Sequence, residues 1–485
     1  MTRVLIVSAS YGSGHNVAAR CLAAAFEREK AQVTVVDHFR EMVHPLFDRS
    51  SRALYHTLLR RAPFLWGLGY STGDWMPSDS LLTLGVTRLG TRRLGALLER
   101  LAPDLVVTVH ATPAVALSSL AKLGVRVPPH TTVVTDFVAH SQWIAPHIDR
   151  YCVADAEVRH ELIARGIPAE RTLVTGVPVR PEFAEPVAAT AAREALGLST
   201  RAPVVLAMAG SQGQLGRLPD VARALASMRR PLQGVLVAGH DPRLRATLSR
   251  LTEGTTIRTL GYVDDVRRLM AAADVLVTKA GGMTLAEAMA TETPLLLYGS
   301  LPGQERRNER FAARAGIALV ARHHGELTPL VERALDNPDL LEDLRATMRR
   351  LRRPDATRRI VAAVLERGVQ TRLSSRGWRS APPRAGRRTR GARTCSRRAA
   401  SGTGPRRAGP SRSRSTTAPT PRGRTGRWTC WTGTRSAPRS SWSASAQGAP
   451  PRPYGGSPRP ATRSAATAGR TEASGSAARA APTTR

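Results

Sequence analysis

Along its first 370 residues the chain repeats one pattern: a short apolar run, a turn of glycine or polar residues, then a stretch of helical periodicity. The apolar runs at 4–7, 32–36, 105–109, 131–135, 151–153 and 172–174 are continuous rather than alternating. That predicts strands covered on both faces, as in a parallel sheet flanked by helices. Helical stretches at 16–28, 113–121 and 156–165 separate them. A proline-bounded linker follows at 176–181, Gly-Val-Pro-Val-Arg-Pro. The rhythm then restarts with runs at 203–208, 234–238, 256–260, 273–277 and 294–298, and helices near 337–350 and 355–367 close it. The pattern predicts an α/β chain of two Rossmann-like domains, 1–180 and 181–368, facing each other across a cleft. Such a cleft is a default ligand site.

Two stretches depart from the rhythm. Between 44 and 91, Arg60 and Arg61 stand beside Phe64, Leu65 and Trp66. Aromatics next to arginines on an amphipathic stretch suit a membrane surface, and they equally suit a helical subdomain packed on the sheet. From 371 to 485 arginine, proline, serine, threonine, glycine and alanine dominate, and Leu373 is the one Leu, Ile, Val or Met. That composition cannot bury enough apolar surface to offset its ordering entropy, so the tail is expected to be disordered. Three readings of it stand open: a passive tail, a basic tail contacting nucleic acid or anionic lipid, or out-of-frame translation.

Charge follows the same division. Of the formal +35, about +24 lies in the tail, which leaves a moderately basic globular part. Nucleic acid is therefore not an expected partner except through the tail. Lysine occurs only at 30, 122 and 279, which reads as a coding bias towards arginine. The four cysteines have no disulfide or zinc spacing, so Cys21 and Cys152 are expected as buried thiols in a reducing compartment. The first residues run straight into a strand with no signal-peptide pattern, and no apolar run is long enough to cross a bilayer.

The stretch 278–287, Thr-Lys-Ala-Gly-Gly-Met-Thr-Leu-Ala-Glu, reads as strand, glycine turn, helix. Gly281 and Gly282 let backbone approach a ligand, and the N–H groups and dipole of the new helix favour an anion there. The same residues also suit a tight turn without a ligand. In the first half, Gly12 and Gly14 follow the first strand, but Val17 occupies the third glycine position of a dinucleotide fingerprint, so a NAD signature is incomplete. His15 opens the following helix, either as a cap or as a general base kept neutral by the helix N-terminus. His15, His110, Asp136 and His140 all follow strand ends, which allows them to converge on one sheet edge.

With these pieces in place, the chain resembles the family of monogalactosyldiacylglycerol synthases and processive diacylglycerol glucosyltransferases, enzymes of the GT-B fold. The resemblance covers residues 1 to about 368. It rests on 10–15 (Ser-Tyr-Gly-Ser-Gly-His), 135–137 with His140 and Trp143, 210–213 (Gly-Ser-Gln-Gly), 261–263, 279–284 with Glu287, and 302–305 with Asn308. Ala280 stands where the family usually has proline. The resemblance implies a UDP-sugar in the second half and no cofactor or catalytic metal. Gly210, Ser211, Gly281, Gly282 and Thr284 would face the diphosphate. Tyr262 and Val263 would line the uracil pocket, and Glu287 would hold the ribose. Gln304, Glu305 and Asn308 would face the donor sugar or diphosphate. It implies a lipid acceptor in the first half, with the 44–91 segment on an anionic membrane and the enzyme peripheral on the cytoplasmic face. His15 would be the base of an inverting transfer, with Asp136 or His140 as competitor or orienting partner. The competing readings are a non-hydrolysing UDP-sugar epimerase of the same fold and a nucleic-acid-binding protein acting through the tail.

Overall fold

The computed structural model describes residues 1–10, 13–61, 90–210 and 217–379. They form two parallel six-stranded sheets. The first runs in the order β2-β1-β3-β4-β5-β6, with β1 Arg3–Ser8, β2 Gln32–Asp37, β3 Leu105–Thr108, β4 His130–Val133, β5 Arg150–Val153 and β6 Thr172–Val174. The second runs β12-β11-β10-β7-β8-β9, with β7 Val204–Met208, β8 Gln233–Val237, β9 Ile257–Leu260, β10 Val275–Thr278, β11 Leu295–Tyr298 and β12 Ala318–Ala321. The sequence reading places eleven of these strands; β12 is a short edge strand whose alanine ends give it a weak pattern.

The strands carry continuous apolar runs because both faces are covered. On β1, Val4 and Ile6 join Leu22 and Phe26 of helix α1 (Ser13–Arg28) on one face. Leu5 and Val7 join Leu94, Leu98 and Leu117 on the other. At the rate of roughly 25 cal/mol per Å² of apolar surface, these two-sided layers are the main stabilising term. After β2, Asp37 accepts from the N–H groups of Phe39 and Arg40 and starts a π-helical turn, His38–Val43, followed by helix α2, Pro45–Arg61. The predicted membrane contacts Phe64, Leu65 and Trp66 lie outside the described residues, as do the side chains of Arg60 and Arg61, which end α2.

The last helix, Ala356–Arg379, departs from the sequence expectation in two ways. It runs past 371, where the tail was placed, and it packs on the first half rather than the second. The Arg150 guanidinium donates to the Ala363 carbonyl at 2.6 Å, and a Cβ on Gly368 would sit 3.0 Å from the Leu105 side chain. Helical periodicity shows that Ile360, Val361 and Val364 share a buried face but not which sheet covers it. The chain thus crosses between halves twice, side by side. Thr357 Oγ1 donates to the Val179 carbonyl at 2.5 Å, and Gly176 takes φ +94° where a Cβ would lie 2.5 Å from Arg353 Cβ.

Candidate active site between the two halves

In an open parallel sheet the crevice opens where successive connections leave in opposite directions. Those points are β1/β3 in the first sheet and β7/β10 in the second. The turns after these four strands carry His15, His110, Gly210 and Gly281-Gly282, so topology alone brings the candidate residues to the two facing edges.

His15 lies on the first turn of α1. Its Nδ1 is 2.8 Å from the Val109 carbonyl oxygen, with Thr135 Oγ1 at 3.1 Å from the same nitrogen. A carbonyl only accepts, so the proton sits on Nδ1 and the lone pair of the neutral ring is on Nε2. Burial lowers the His15 pKa, opposed by the nearby Asp136 carboxylate and by the Val109 hydrogen bond. Burial likewise raises the Asp136 pKa, opposed by His15 and by the hydrogen bond from Asn308. The two groups titrate as a pair.

His110 packs edge-on against His15, ring centroids 4.7 Å apart. Its Nδ1 accepts from the Thr112 N–H at 3.1 Å, capping the next helix. Burial, then the charges of His15, His140 and His38, hold His110 well below its ordinary pKa, so it stays neutral beside His15. His140 packs on Trp143, centroids 5.6 Å apart, and enters the cluster through His110. The strand-end position marks His110 in the sequence, and His38, directly after β2, carries the same mark although the sequence reading does not single it out.

The second half meets this pair directly. Gly282, at the start of the helix Gly282–Ala290, has no room for a side chain: a Cβ would stand 2.1 Å from the Thr135 carbonyl oxygen and 3.2 Å from Asp136 Oδ1. Gly281 caps that helix without a side-chain hydrogen bond, which leaves its first N–H groups for another acceptor. Gly14 at the start of α1 packs on Met283, its would-be Cβ 3.1 Å from Met283 Cγ. Two helix N-termini therefore converge, and their positive dipole ends together favour an anion.

A cavity of about 400 Å³ opens beside them. Its lining includes Gly14, Gly210, Tyr262, Val263, Thr284 and Glu287. Tyr262 is half exposed there and stacks on His240, centroids 4.0 Å apart. Glu287 is buried, and desolvation pushes its carboxyl up to about 7 against the opposing charge of Arg180. Ser211 lies outside the described residues. The cavity also takes Val17, Arg20, Cys21, Ala24 and Arg28 from α1, and Arg180 from the linker. The sequence reading misses these cations. The signal for Arg20 and Arg28 is the three- and four-residue spacing of the α1 face they share with Val17, Cys21 and Ala24; Arg180 on the linker has none.

Gln304, Glu305 and Asn308, expected to face the donor, are not among the residues lining this cavity. Gln304 Nε2 donates to Asp136 Oδ2 at 3.3 Å. Glu305 pairs with Lys279 and accepts from the Leu301 N–H at 2.9 Å. Asn308 is fully buried and bonded to Asp136, Phe137 and Ala280. A motif shows that polar residues sit at a helix start. It does not show which neighbour reaches them first.

Comparison with known proteins gives matches in both halves. Residues 15–179 match the family described as monogalactosyldiacylglycerol (MGDG) synthase, and residues 203–336 match glycosyl transferases group 1. A processive diacylglycerol beta-glucosyltransferase of Bacillus cytotoxicus is 32% identical over 368 residues, covering 75% of this chain and 93% of that protein. Among solved structures, Acinetobacter baumannii MurG superposes with a TM-score of 0.53 at 18% identity, covering 76% of this chain and all of that one. The S. aureus MnaA-UDP complex gives 0.53 at 16%, covering 74% and 95%. These two likenesses carry the two-domain fold alone.

Proposed function

The chain belongs to the family of processive diacylglycerol beta-glucosyltransferases, and from that premise we propose how its two halves carry out hexose transfer from a UDP-sugar to a diacylglycerol-type lipid. The observation that carries the proposal is the docking of the His15–Asp136 pair against the glycine turn at Gly282. On this reading His15 is a base standing beside the phosphate end of a donor cavity.

The lipid hydroxyl oxygen attacks the anomeric carbon, and its proton passes to His15 Nε2. The bond from that carbon to the diphosphate oxygen breaks, and the electron pair leaves with UDP. Attack opposite the leaving group inverts the centre. The Asp136 carboxylate favours the imidazolium that forms, and Val109 holds the ring in the required tautomer. The converging helix N-termini stabilise the departing diphosphate. Tyr262 and Val263 suit the uracil, and Glu287 suits the ribose hydroxyls. Among the described residues no helix is long and apolar enough to cross a membrane. On this proposal the acceptor is taken from a membrane surface at a cytoplasmic face, and the arginine- and aromatic-bearing 44–91 segment is its contact.

UDP release by the full chain, with UDP-glucose or UDP-galactose and with or without diacylglycerol in anionic liposomes, tests this. Release that requires the lipid is the expected result. Turnover of donor without lipid and without free UDP would move the assignment to the epimerase reading.

Glu287 gives a pH-dependent prediction. Its folded pKa of about 7 lies above the ordinary 4.5, so its contribution to stability is full below pH 4.5 and declines as pH rises through about 7. Ionised Glu287 accepts ribose hydroxyls best, so UDP affinity rises over the same window. Glu287→Gln removes a charge-assisted bond worth about 1.5–3 kcal/mol, a factor of roughly ten to a hundred in Kd at pH 8. At pH 6 the difference shrinks, because the native carboxyl is itself protonated. Calorimetric titration with UDP at both pH values reads this; an equal penalty at both would remove Glu287 from the ribose.

A further inference from the structure

We propose that His110 sets acceptor specificity: its Nε2–H donates to the ester carbonyl next to the attacking hydroxyl of a diacylglycerol, and so holds that hydroxyl against His15 Nε2. The inference deepens the function proposed above and rests on its reading of His15 as the group that takes the acceptor's proton.

His110 follows β3 and is the N-cap of the helix Ala111–Lys122. Its Nδ1 accepts from the Thr112 N–H at 3.1 Å. A backbone N–H only donates, so Nδ1 carries the lone pair and the proton of the neutral ring is on Nε2. His15 has the opposite tautomer, because its Nδ1 faces the Val109 carbonyl at 2.8 Å. Burial and the neighbouring imidazoles of His15, His140 and His38 keep His110 neutral, so its Nε2 is a donor without a charge. Among the described residues that Nε2 meets no partner, and it is not one of the unpartnered polar atoms sealed in the interior.

The ring is held on two sides. It meets His15 with centroids 4.7 Å apart and planes at 77°, and Phe39 with centroids 6.4 Å apart and planes at 84°. Phe39 is itself buried in the π-helical turn after β2. Two imidazoles of opposite polarity thus stand side by side, one offering a lone pair and the other an N–H. Capping alone does not need this arrangement. A carboxylate caps two other helices of the chain, at Asp155 and Asp241. What imidazole adds at 110 is a second nitrogen on the far side of the ring.

An alcohol beside an ester has the matching chemistry. Its O–H needs a lone pair, which His15 supplies. A donor to that same oxygen would draw on the electrons needed for attack, so the His110 N–H suits a neighbouring oxygen that only accepts. In a diacylglycerol that oxygen is the ester carbonyl on the adjacent carbon. Held at two points, the hydroxyl is oriented as well as bound.

The test is steady-state kinetics of the full chain with UDP-glucose and liposomes carrying either 1,2-diacylglycerol or the ether-linked 1,2-dialkylglycerol of the same chain length, which lacks the carbonyls. The unaltered chain is expected to prefer the diacyl lipid about tenfold in acceptor kcat/KM, the worth of one hydrogen bond. His110→Asn keeps an oxygen for the Thr112 N–H but loses the outer donor, so the preference should collapse to within about twofold. His110→Gln carries an amide N–H out to the position of Nε2, and should retain a preference of about threefold or more. UDP affinity by calorimetry should stay within about twofold in both variants, since His110 is not among the residues lining the donor cavity. An equal loss on both lipids in His110→Asn, with the preference intact, would leave His110 a cap and overturn the inference. If His110→Asn shows no cooperative thermal unfolding, His110→Ser, which also caps, is read in its place. Equal use of the two lipids by the unaltered chain would overturn the inference by itself while leaving the transferase reading standing. Absence of UDP release with either lipid would overturn that reading, and this inference with it.

Discussion

His15→Ala is expected to reduce lipid-dependent UDP release by about 10²–10⁴, the usual contribution of a positioned general base. UDP affinity is expected to change by less than about twofold, because His15 is not among the residues lining the donor cavity. The large effect follows from the ring's surroundings. Val109 fixes the tautomer with the lone pair on Nε2, Asp136 favours the protonated ring, and His110 packs edge-on against it. Burial lowers the His15 pKa, so the ring is neutral and able to accept a proton at physiological pH. Single-turnover release of UDP, with calorimetry for UDP binding, separates the step from the site. Activity within tenfold of the unaltered enzyme would transfer the role of base to Asp136.

Gly282→Ala is the second large prediction. The added methyl carbon would stand 2.1 Å from a backbone oxygen, and backbone cannot swing aside as a long side chain can. The two halves must part at the point where Thr135 and Asp136 meet the glycine turn. A misplacement of about 1 Å between reacting groups costs on the order of a hundredfold in rate. Because the clash lies between halves, each sheet keeps its own core, and a single cooperative unfolding transition should survive with kcat down by that factor. Small-angle scattering should show a wider separation of the halves. Unchanged kcat would mean that the reactive closure differs from the contact at Thr135.

The positions of these residues were legible in the chain to unequal degrees. His15, Asp136, Gly210 and Gly281-Gly282 all stand in the turns or first helical turns that follow apolar runs, and in parallel sheets those strand ends form the crevice. Their assembly at one edge follows from order along the chain. The cations Arg20, Arg28 and Arg180 carry no such mark. Arg20 and Arg28 enter the cavity because α1 turns one face towards the other half, and Arg180 enters it from the linker.

What the sequence alone determined is the repeated strand–turn–helix rhythm, the two halves, and the polar residues at strand ends. These are local properties, set by periodicity, continuous apolar runs and the backbone freedom of glycine. Only the tertiary structure decided which partner each polar side chain takes. Asn308 and Gln304 carry donor-site motifs yet bond Asp136, and the last helix leaves the half that precedes it to cover the other sheet. The reason is that an amide or an apolar stripe satisfies itself with whatever the closed fold brings within about 3 Å. That distance is set by the approach of two sheets far apart in the chain, and no local pattern records it.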